Sequence, residues 1–436
     1  NGLGLDFQNS VRAISSRIDL AALAEVPAQR IDHDNASLAS AAAYDPTGAY
    51  LFVALETARQ VAVIDAARGF TLFRLEAGLA PQGLAVSADG LRLYVHNFMG
   101  RNISVIDLSP LMRNGDFRAN AVATLASVAT EKLAANVLKG KQFFYDARDT
   151  RLARDSYMSC ASCHSEAGHD GRTWDFTGFG EGLRNTVSLR GRAGLGHGLL
   201  HWSGNFNEVQ DFEGQIRNFA GGTGLMTDAQ FNTGTRSQPM GDNKAGVSAD
   251  LDALAAYLGS LTQMPASFGR TSTGALSTAA ASGLTVFRNQ NCAGCHGGTS
   301  FVASGAVLAD VGTLKASSGK RLNGTLWGLD VPTLRDVAGT APYLHDGSAA
   351  TLAAAISAHR GVSLGSTDLN NLVAYLGQIG SEETTGTATL PGTSTSCASQ
   401  NGTCTLPSGT VATVYFGTGS TWAVRRAVSG SIACNT

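Results

Sequence analysis

Cys160-Ala161-Ser162-Cys163-His164 and Cys292-Ala293-Gly294-Cys295-His296 are the two stretches that decide how this chain is read. In each, two thiols stand three residues apart and a histidine directly follows the second. That spacing suits covalent attachment of haem: both thiols add to the vinyl groups of one porphyrin, and the adjacent imidazole falls beneath the iron. Two stretches predict two c-type haems, with His164 and His296 as proximal ligands. The competing chemistries are a tetrahedral zinc site, which two Cys-x-x-Cys pairs can close, and a redox dithiol. Neither requires a histidine after both second cysteines, and zinc ribbons bring their pairs closer together in sequence.

The chain around these stretches has 436 residues, a formal net charge of -2, 15% charged residues and 52 glycines. It is long enough for two or three domains. No basic excess points to nucleic acid, and no run of about 18 apolar residues points to a membrane span. Covalent haem attachment takes place outside the bacterial cytoplasm, so a mature or trimmed exported protein is expected, periplasmic or secreted. Cys397, Cys404 and Cys434 agree with an oxidising compartment, and their odd number leaves one without an intramolecular partner.

Upstream of the first motif, the chain repeats itself. Asp45-Pro46-Thr47-Gly48 before Tyr50-Leu51-Phe52-Val53 returns as Ser87-Ala88-Asp89-Gly90 before Leu91-Arg92-Leu93-Tyr94-Val95. Val61-Ala62-Val63-Ile64-Asp65 returns at the same spacing of 42 residues as Ile103-Ser104-Val105-Ile106-Asp107. A repeat of about 40 residues made of short strands is the signature of propeller blades, and the wording resembles YVTN-type, lactonase-like propellers. A plain β-meander is the alternative. Two blades and the tail of an earlier one at Val11–Leu20 are visible, whereas a closed propeller needs at least about four. Upstream sequence or a second polypeptide is therefore expected to complete the ring.

From Ala119 to about Phe144 the pattern turns helical, with Leu125, Val128, Leu133, Val137 and Leu138 near a 3.6 period. Ser248 reads as the N-cap of a helix closing the first cytochrome unit at Leu261, and an amphipathic helix from Asp368 to Ile379 closes the second. The expected chain is multidomain: partial β-propeller blades over 1–115, then two mainly α cytochrome c-like domains over 119–265 and 275–380, a linker over 381–396, and a small disulfide-containing β module over 397–436. The two cytochrome units are duplicates. Ser188-Leu189-Arg190 matches Thr333-Leu334-Arg335, Leu200-His201 matches Leu344-His345, and Ala256-Tyr257-Leu258-Gly259 matches Ala374-Tyr375-Leu376-Gly377.

What differs between duplicates divides their labour. A haem that only carries electrons takes a second axial ligand, whereas one that binds peroxide or oxygen leaves that position open. The second unit has no methionine, so its second ligand is expected from His359, His345 or Tyr343, with His359 on a helix from Leu352. The first unit has Gln215, Ile216 and Arg217 in the place of His359, which makes its haem the candidate for the open iron. Met226, Met240, His169, His197 and His201 are the competing ligands there.

Val331-Pro332-Thr333-Leu334-Arg335-Asp336-Val337 and Ala341-Pro342-Tyr343-Leu344-His345-Asp346-Gly347, with Arg184-Asn185-Thr186-Val187-Ser188-Leu189 and His201-Trp202-Ser203-Gly204, resemble the bacterial diheme cytochrome c peroxidase and MauG superfamily over about residues 130 to 380. The resemblance implies a peroxide-reactive first haem, an electron-transfer second haem, and often a calcium ion between them. It implies that Trp202 is the aromatic between the haems, and that Gln210 and Glu213, with Glu208 as competitor, are the acid/base candidates, Glu213 foremost. His359 stands where family members have Met or Tyr, which predicts a bis-histidine second haem. The family's removable distal histidine has no counterpart near Thr177, so a MauG-like enzyme ready without prior reduction is implied. Arg184, Arg190 and Arg335 are candidate partners of haem propionates.

The expected function is an exported diheme peroxidase or oxidase that takes hydrogen peroxide and exchanges electrons with a donor or redox partner protein. A diheme electron-transfer protein without catalysis, and a diheme oxygenase acting on an organic substrate, are the alternatives.

Overall fold

A computed structural model describes residues 12–302 and 308–383, together with the backbone of the strands Thr403–Leu406, Ala412–Thr418, Thr421–Ala427 and Gly430–Ala433. Those four strands pair antiparallel as two ladders. The expected disulfides of Cys397, Cys404 and Cys434, and most of the expected linker, lie outside the described residues.

The chain forms two compact units. One holds the described residues up to Ala167 together with Gln210–Ser260, and the other holds Gly168–Val209 together with the chain from Leu261 onward.

The first unit opens on short hairpins and then two four-stranded antiparallel sheets. Strands β1 (Ala39–Tyr44), β2 (Tyr50–Leu55), β3 (Gln60–Asp65) and β4 (Phe70–Glu76) pair in chain order. So do β5 (Pro81–Val86), β6 (Arg92–Asn97), β7 (Asn102–Asp107) and β8 (Asn120–Ala126). The repeat is visible in the register. Tyr50 faces Asp65 as Arg92 faces Asp107, and a bulge falls at Val63/Ile64 as at Val105/Ile106. Gly48 and Gly90 both sit at φ +74° in the tight turns before β2 and β6, a conformation that disfavours any residue with a Cβ.

Phe52, Val61 and Val63 of the first sheet pack with Leu93, Val95 and Ile106 of the second. Val53, Leu55, Ala62 and Ile64 are buried on the other face of the first sheet. Each such Val, Leu, Ile or Phe side chain contributes about 1.5–3 kcal/mol by leaving water, and burial on both faces explains why β2 and β3 are apolar without alternation. The helix expected over 119–144 is confined to α1 (Ala135–Phe144). Residues 120–126 instead complete the second sheet as its edge strand against β7. Apolar residues at short spacing fit both periods, and the unpaired edge of β7 decides between them.

Helix α1 crosses α4 (Ala249–Gly259), whose N-cap Ser248 accepts from the Leu251 amide as expected. A Cβ on Gly140 would stand 1.8 Å from the Ala253 carbonyl oxygen, so the crossing requires glycine. Between them in sequence lie α2 (Cys160–Cys163) and α3 (Phe212–Asn218).

The second unit repeats this crossing. Helix α5 (Thr278–Asn289) meets α7 (Ser366–Leu376) at Gly283, where a Cβ would lie 1.9 Å from the Asn371 carbonyl oxygen. Phe287, Phe301, Leu372 and Tyr375 are the centre of its apolar core. Helix α6 (Leu352–Ser357) precedes His359. Among the described residues, no helix is long and apolar enough to cross a membrane.

Candidate functional site

The first motif is one helical turn. The His164 amide donates to the Cys160 carbonyl at 3.0 Å, and the Ser159 amide donates to Ser162 Oγ at 2.9 Å. The same hydroxyl meets Ser37 Oγ at 2.6 Å, and Ser37 in turn meets Thr57. The β-sheet portion therefore holds the middle of the motif. It also holds the chain just before it: Arg59 Nε donates to Asp146 at 3.0 Å, the Ala147 amide to Thr57, and Gln142 to the Met99 carbonyl at 2.9 Å.

The second motif closes in the same way, its His296 amide donating to the Cys292 carbonyl at 2.8 Å. None of the four motif cysteines is joined to another in a disulfide. Burial raises the thiols of Cys160 and Cys292 to about 11 and raises Cys295 as well. A redox dithiol needs accessible thiolate, which these surroundings disfavour. Among the described residues, no group of three or more His, Cys, Asp or Glu gathers for a metal ion.

Cys292, Cys295 and His296 line a cavity with about 360 Å³ open to the centres of water-sized molecules. One water needs roughly 10–15 Å³ by that measure, so the space suits a large ligand. Its lining is mostly apolar, from Phe287, Leu334, Leu352, Ile356, Leu372 and Leu376. His359 lines it too. His359 Nδ1 lies 2.8 Å from the Ala355 carbonyl, and His296 Nδ1 lies 3.4 Å from that of Phe301. A carbonyl only accepts, so Nδ1 of His359 carries a proton, which leaves Nε2 as the nitrogen that can turn to a metal. Desolvation, with the charge of His359 second, lowers His296 to about 4 and keeps it in the neutral form that binds metals.

The competing histidine is differently engaged. His345 is fully buried, and its Nε2 meets Ser318 Oγ at 2.6 Å. Tyr343 lines the cavity and is half-buried. His169 uses both ring nitrogens, at the Gly339 carbonyl and the Gly171 amide, and His201 Nδ1 meets Asn205 at 2.7 Å.

Trp202 lines the same cavity, and its indole N–H donates to the Asn185 carbonyl at 2.8 Å. Arg190 and Arg335 line it as well, while Arg184 is committed elsewhere, to the buried Glu181 at 3.0 Å and to the Ser318 carbonyl. Sequence reading missed Arg192 and Asp330, both in the wall. Burial raises Asp330 to about 7, with Arg192 opposing. Their local signal is weak because the two lie far apart in sequence.

Asn185 is the buried amide to weigh for the expected calcium. Its Oδ1 is buried without a hydrogen-bond partner, while Nδ2 faces the carbonyls of Pro342 and Leu344. The two ends of an amide are told apart only by their neighbours, and turning this one gathers three oxygens of the kind calcium prefers.

The acid/base candidates lie in the first unit. Glu213 is fully buried and its carboxylate is saturated: it takes the Leu225 and Met226 amides at 2.9 and 3.0 Å and Arg217 Nε at 2.8 Å. Gln210 donates to Asp252 at 2.8 Å. Both hold neighbouring loops.

Comparison with models of known protein families gives no match. The chain is similar to the cytochrome c peroxidase Ccp of Escherichia coli (strain K12), 27% identical over 289 residues, which is 56% of this chain and 59% of that one. It is also similar to the methylamine utilization protein MauG of Methylophilus methylotrophus, 28% identical over 233 residues, 48% of this chain and 67% of that one. The chain thus spans about three fifths of the length of the first relative. Solved structures that align with it include the diheme peroxidase BthA of Burkholderia thailandensis E264, at 18% identity and TM-score 0.38 over 59% of this chain and 88% of that one. A MauG-like protein associated with microbial copper homeostasis aligns at 20% identity and TM-score 0.39, over 58% and 91%.

Proposed function

We propose that the protein is an exported diheme c-type oxidoreductase of the peroxidase type. Hydrogen peroxide reacts at the haem held by Cys160, Cys163 and His164. Cys292, Cys295 and His296 would hold a second haem, with His359 offered as a further ligand, and such a haem would supply electron transfer from a donor or partner protein. The observation that carries this reading is the apolar cavity in which the second motif and the His359 imidazole meet.

Bound haem supplies iron that cycles between oxidation states and accepts imidazole nitrogen. The chain's own residues do the rest. The two helical turns present paired thiols for attachment and an imidazole beside them. The Ala355 carbonyl fixes the ring orientation and tautomer of His359, as outer partners do for metal-binding histidines. His345 also lines the cavity, with Nε2 held by Ser318 and Nδ1 buried without a partner, and it is the competing ligand. The Asn185 carbonyl holds the Trp202 ring at the cavity edge, where it passes electrons. Asn185, Pro342 and Leu344 offer the oxygens for calcium.

Haem stoichiometry and electron paramagnetic resonance of the ferric protein test this. Two covalent haems, one high-spin and one low-spin, with spectral change on adding peroxide, are expected. Two low-spin haems inert to peroxide would leave an electron carrier, and product formed from oxygen without peroxide would mark an oxygenase.

A further inference from the structure

Beside the first motif lies a pair of buried tyrosines that the proposed function leaves unused. Phe144, at the end of α1, has its ring 6.5 Å from that of His164 and 5.1 Å from that of Tyr257 on α4. Tyr145 follows in the chain, with its ring 5.5 Å from Phe144. Both tyrosines are 4% exposed, and their hydroxyls hydrogen-bond each other. The carboxylate of Glu166, and after it that of Glu56, disfavours ionisation of Tyr145, and Glu166 does the same at Tyr257. Glu56 stands at the end of β2, is 4% exposed, and takes a hydrogen bond from Gln82 at 2.7 Å.

The second unit is an internal control. The crossing glycines Gly140 and Gly283 mark equivalent places, which pairs Phe144 with Phe287 and Tyr257 with Tyr375. Phe287 and Tyr375 pack 5.4 Å apart, so the aromatic contact is common to both units. The place of Tyr145 is taken there by Arg288, and the buried hydroxyl of Tyr375 has no hydrogen-bond partner. Packing therefore does not require the second phenol. The pair is an addition confined to the unit assigned to peroxide.

We propose that Tyr257 and Tyr145 form a redox-active pair that holds one oxidising equivalent near the first haem. Tyr257 gives one electron to the peroxide-oxidised haem, which is reduced by one equivalent. Hydroxyl rotors are free to turn, so the Tyr257 proton passes to the Tyr145 oxygen while the Tyr145 proton passes to the Glu56 carboxylate. The products are a neutral tyrosyl radical on Tyr257 and a protonated Glu56. The pair thereby holds the equivalent on two side chains that are 4% exposed.

This inference rests on the peroxidase reading, and its test separates the two. The diferric holoprotein is mixed with peroxide and freeze-quenched for electron paramagnetic resonance, with ring-deuterated tyrosine as label. A tyrosyl signal that narrows on deuteration is expected, lost in Y257F and retained in Y375F. Y145F should change its g-values through the missing hydrogen bond, and E56Q should lower its yield several-fold. The Phe variants keep the rings, and unchanged haem content and Soret band report their folding. A signal retained in Y257F, or no tyrosyl signal while the Soret band responds to peroxide, overturns the pair's role and leaves the peroxidase reading intact. A Soret band that ignores peroxide overturns both.

Discussion

His359 and His345 are fourteen residues apart, and their hydrogen bonds give them different fates. With its Nδ1 on the Ala355 carbonyl, His359 is free to ligate, so H359A should turn the low-spin ferric signal of the second haem high-spin. H345A should leave that signal and instead cost about 1–3 kcal/mol in thermal or denaturant unfolding, since the buried Ser318 hydroxyl keeps the Lys315 amide but loses its other partner. Glu213 belongs with His345. Removing it leaves Arg217 and two loop amides without their acceptor, and E213A should cost about 3–5 kcal/mol. Glu56 carries a pH signature. Burial, more than the charge of Glu166, raises it from 4.5 to about 7. A raised carboxyl contributes stability that is full below pH 4.5 and is lost as pH rises through 7. Melting curves of wild type minus E56Q should therefore decline across that window, by an amount on the order of 3 kcal/mol at most. The motif cysteines and histidines were legible because their spacing is local. The partners of Glu213 and Glu56 come from distant turns and strands, which no spacing records.

At the scale of elements, the two helix crossings are the least tolerant points. A methyl on Gly140 or Gly283 drives into a carbonyl oxygen. G283A should lower stability by about 1–3 kcal/mol or more, the usual result of overpacking, and the melt should show it. The closing helices were legible from their period and from Ser248, because cap and apolar stripe lie within the helix's own sequence. The blades were legible from the repeat, which survives in register down to matching bulges. Strand β8 was not. Ala121-Val122-Ala123-Thr124-Leu125 satisfies a helical pattern as well as an extended one, and only pairing with residues 102–107 chooses.

For the whole molecule, the β-sheet portion is part of the unit that carries the first motif. Ser37, Thr57, Arg59 and Met99 all bond the segment from Gln142 to Ser162. A chain beginning at residue 127 should keep the spectrum of the second haem and lose the normal spectrum of the first, as haem stoichiometry and paramagnetic resonance would show. Such coupling was illegible beforehand, since it depends on single hydroxyl and guanidinium contacts between segments that look like separate modules.

The alternation of the chain between its two units sets a timetable for synthesis. Residues leave the ribosome in order, and neither unit is one continuous stretch. The first cannot finish before Ser260 has been made. Glu181 and Arg184 emerge long before Ser318, the buried partner that Arg184 needs. The segment from Gly168 to Val209 must wait, unpaired, while a later part of the first unit is built. Neither unit can therefore close on a single continuous piece of chain, and each is completed only when segments distant in sequence have met.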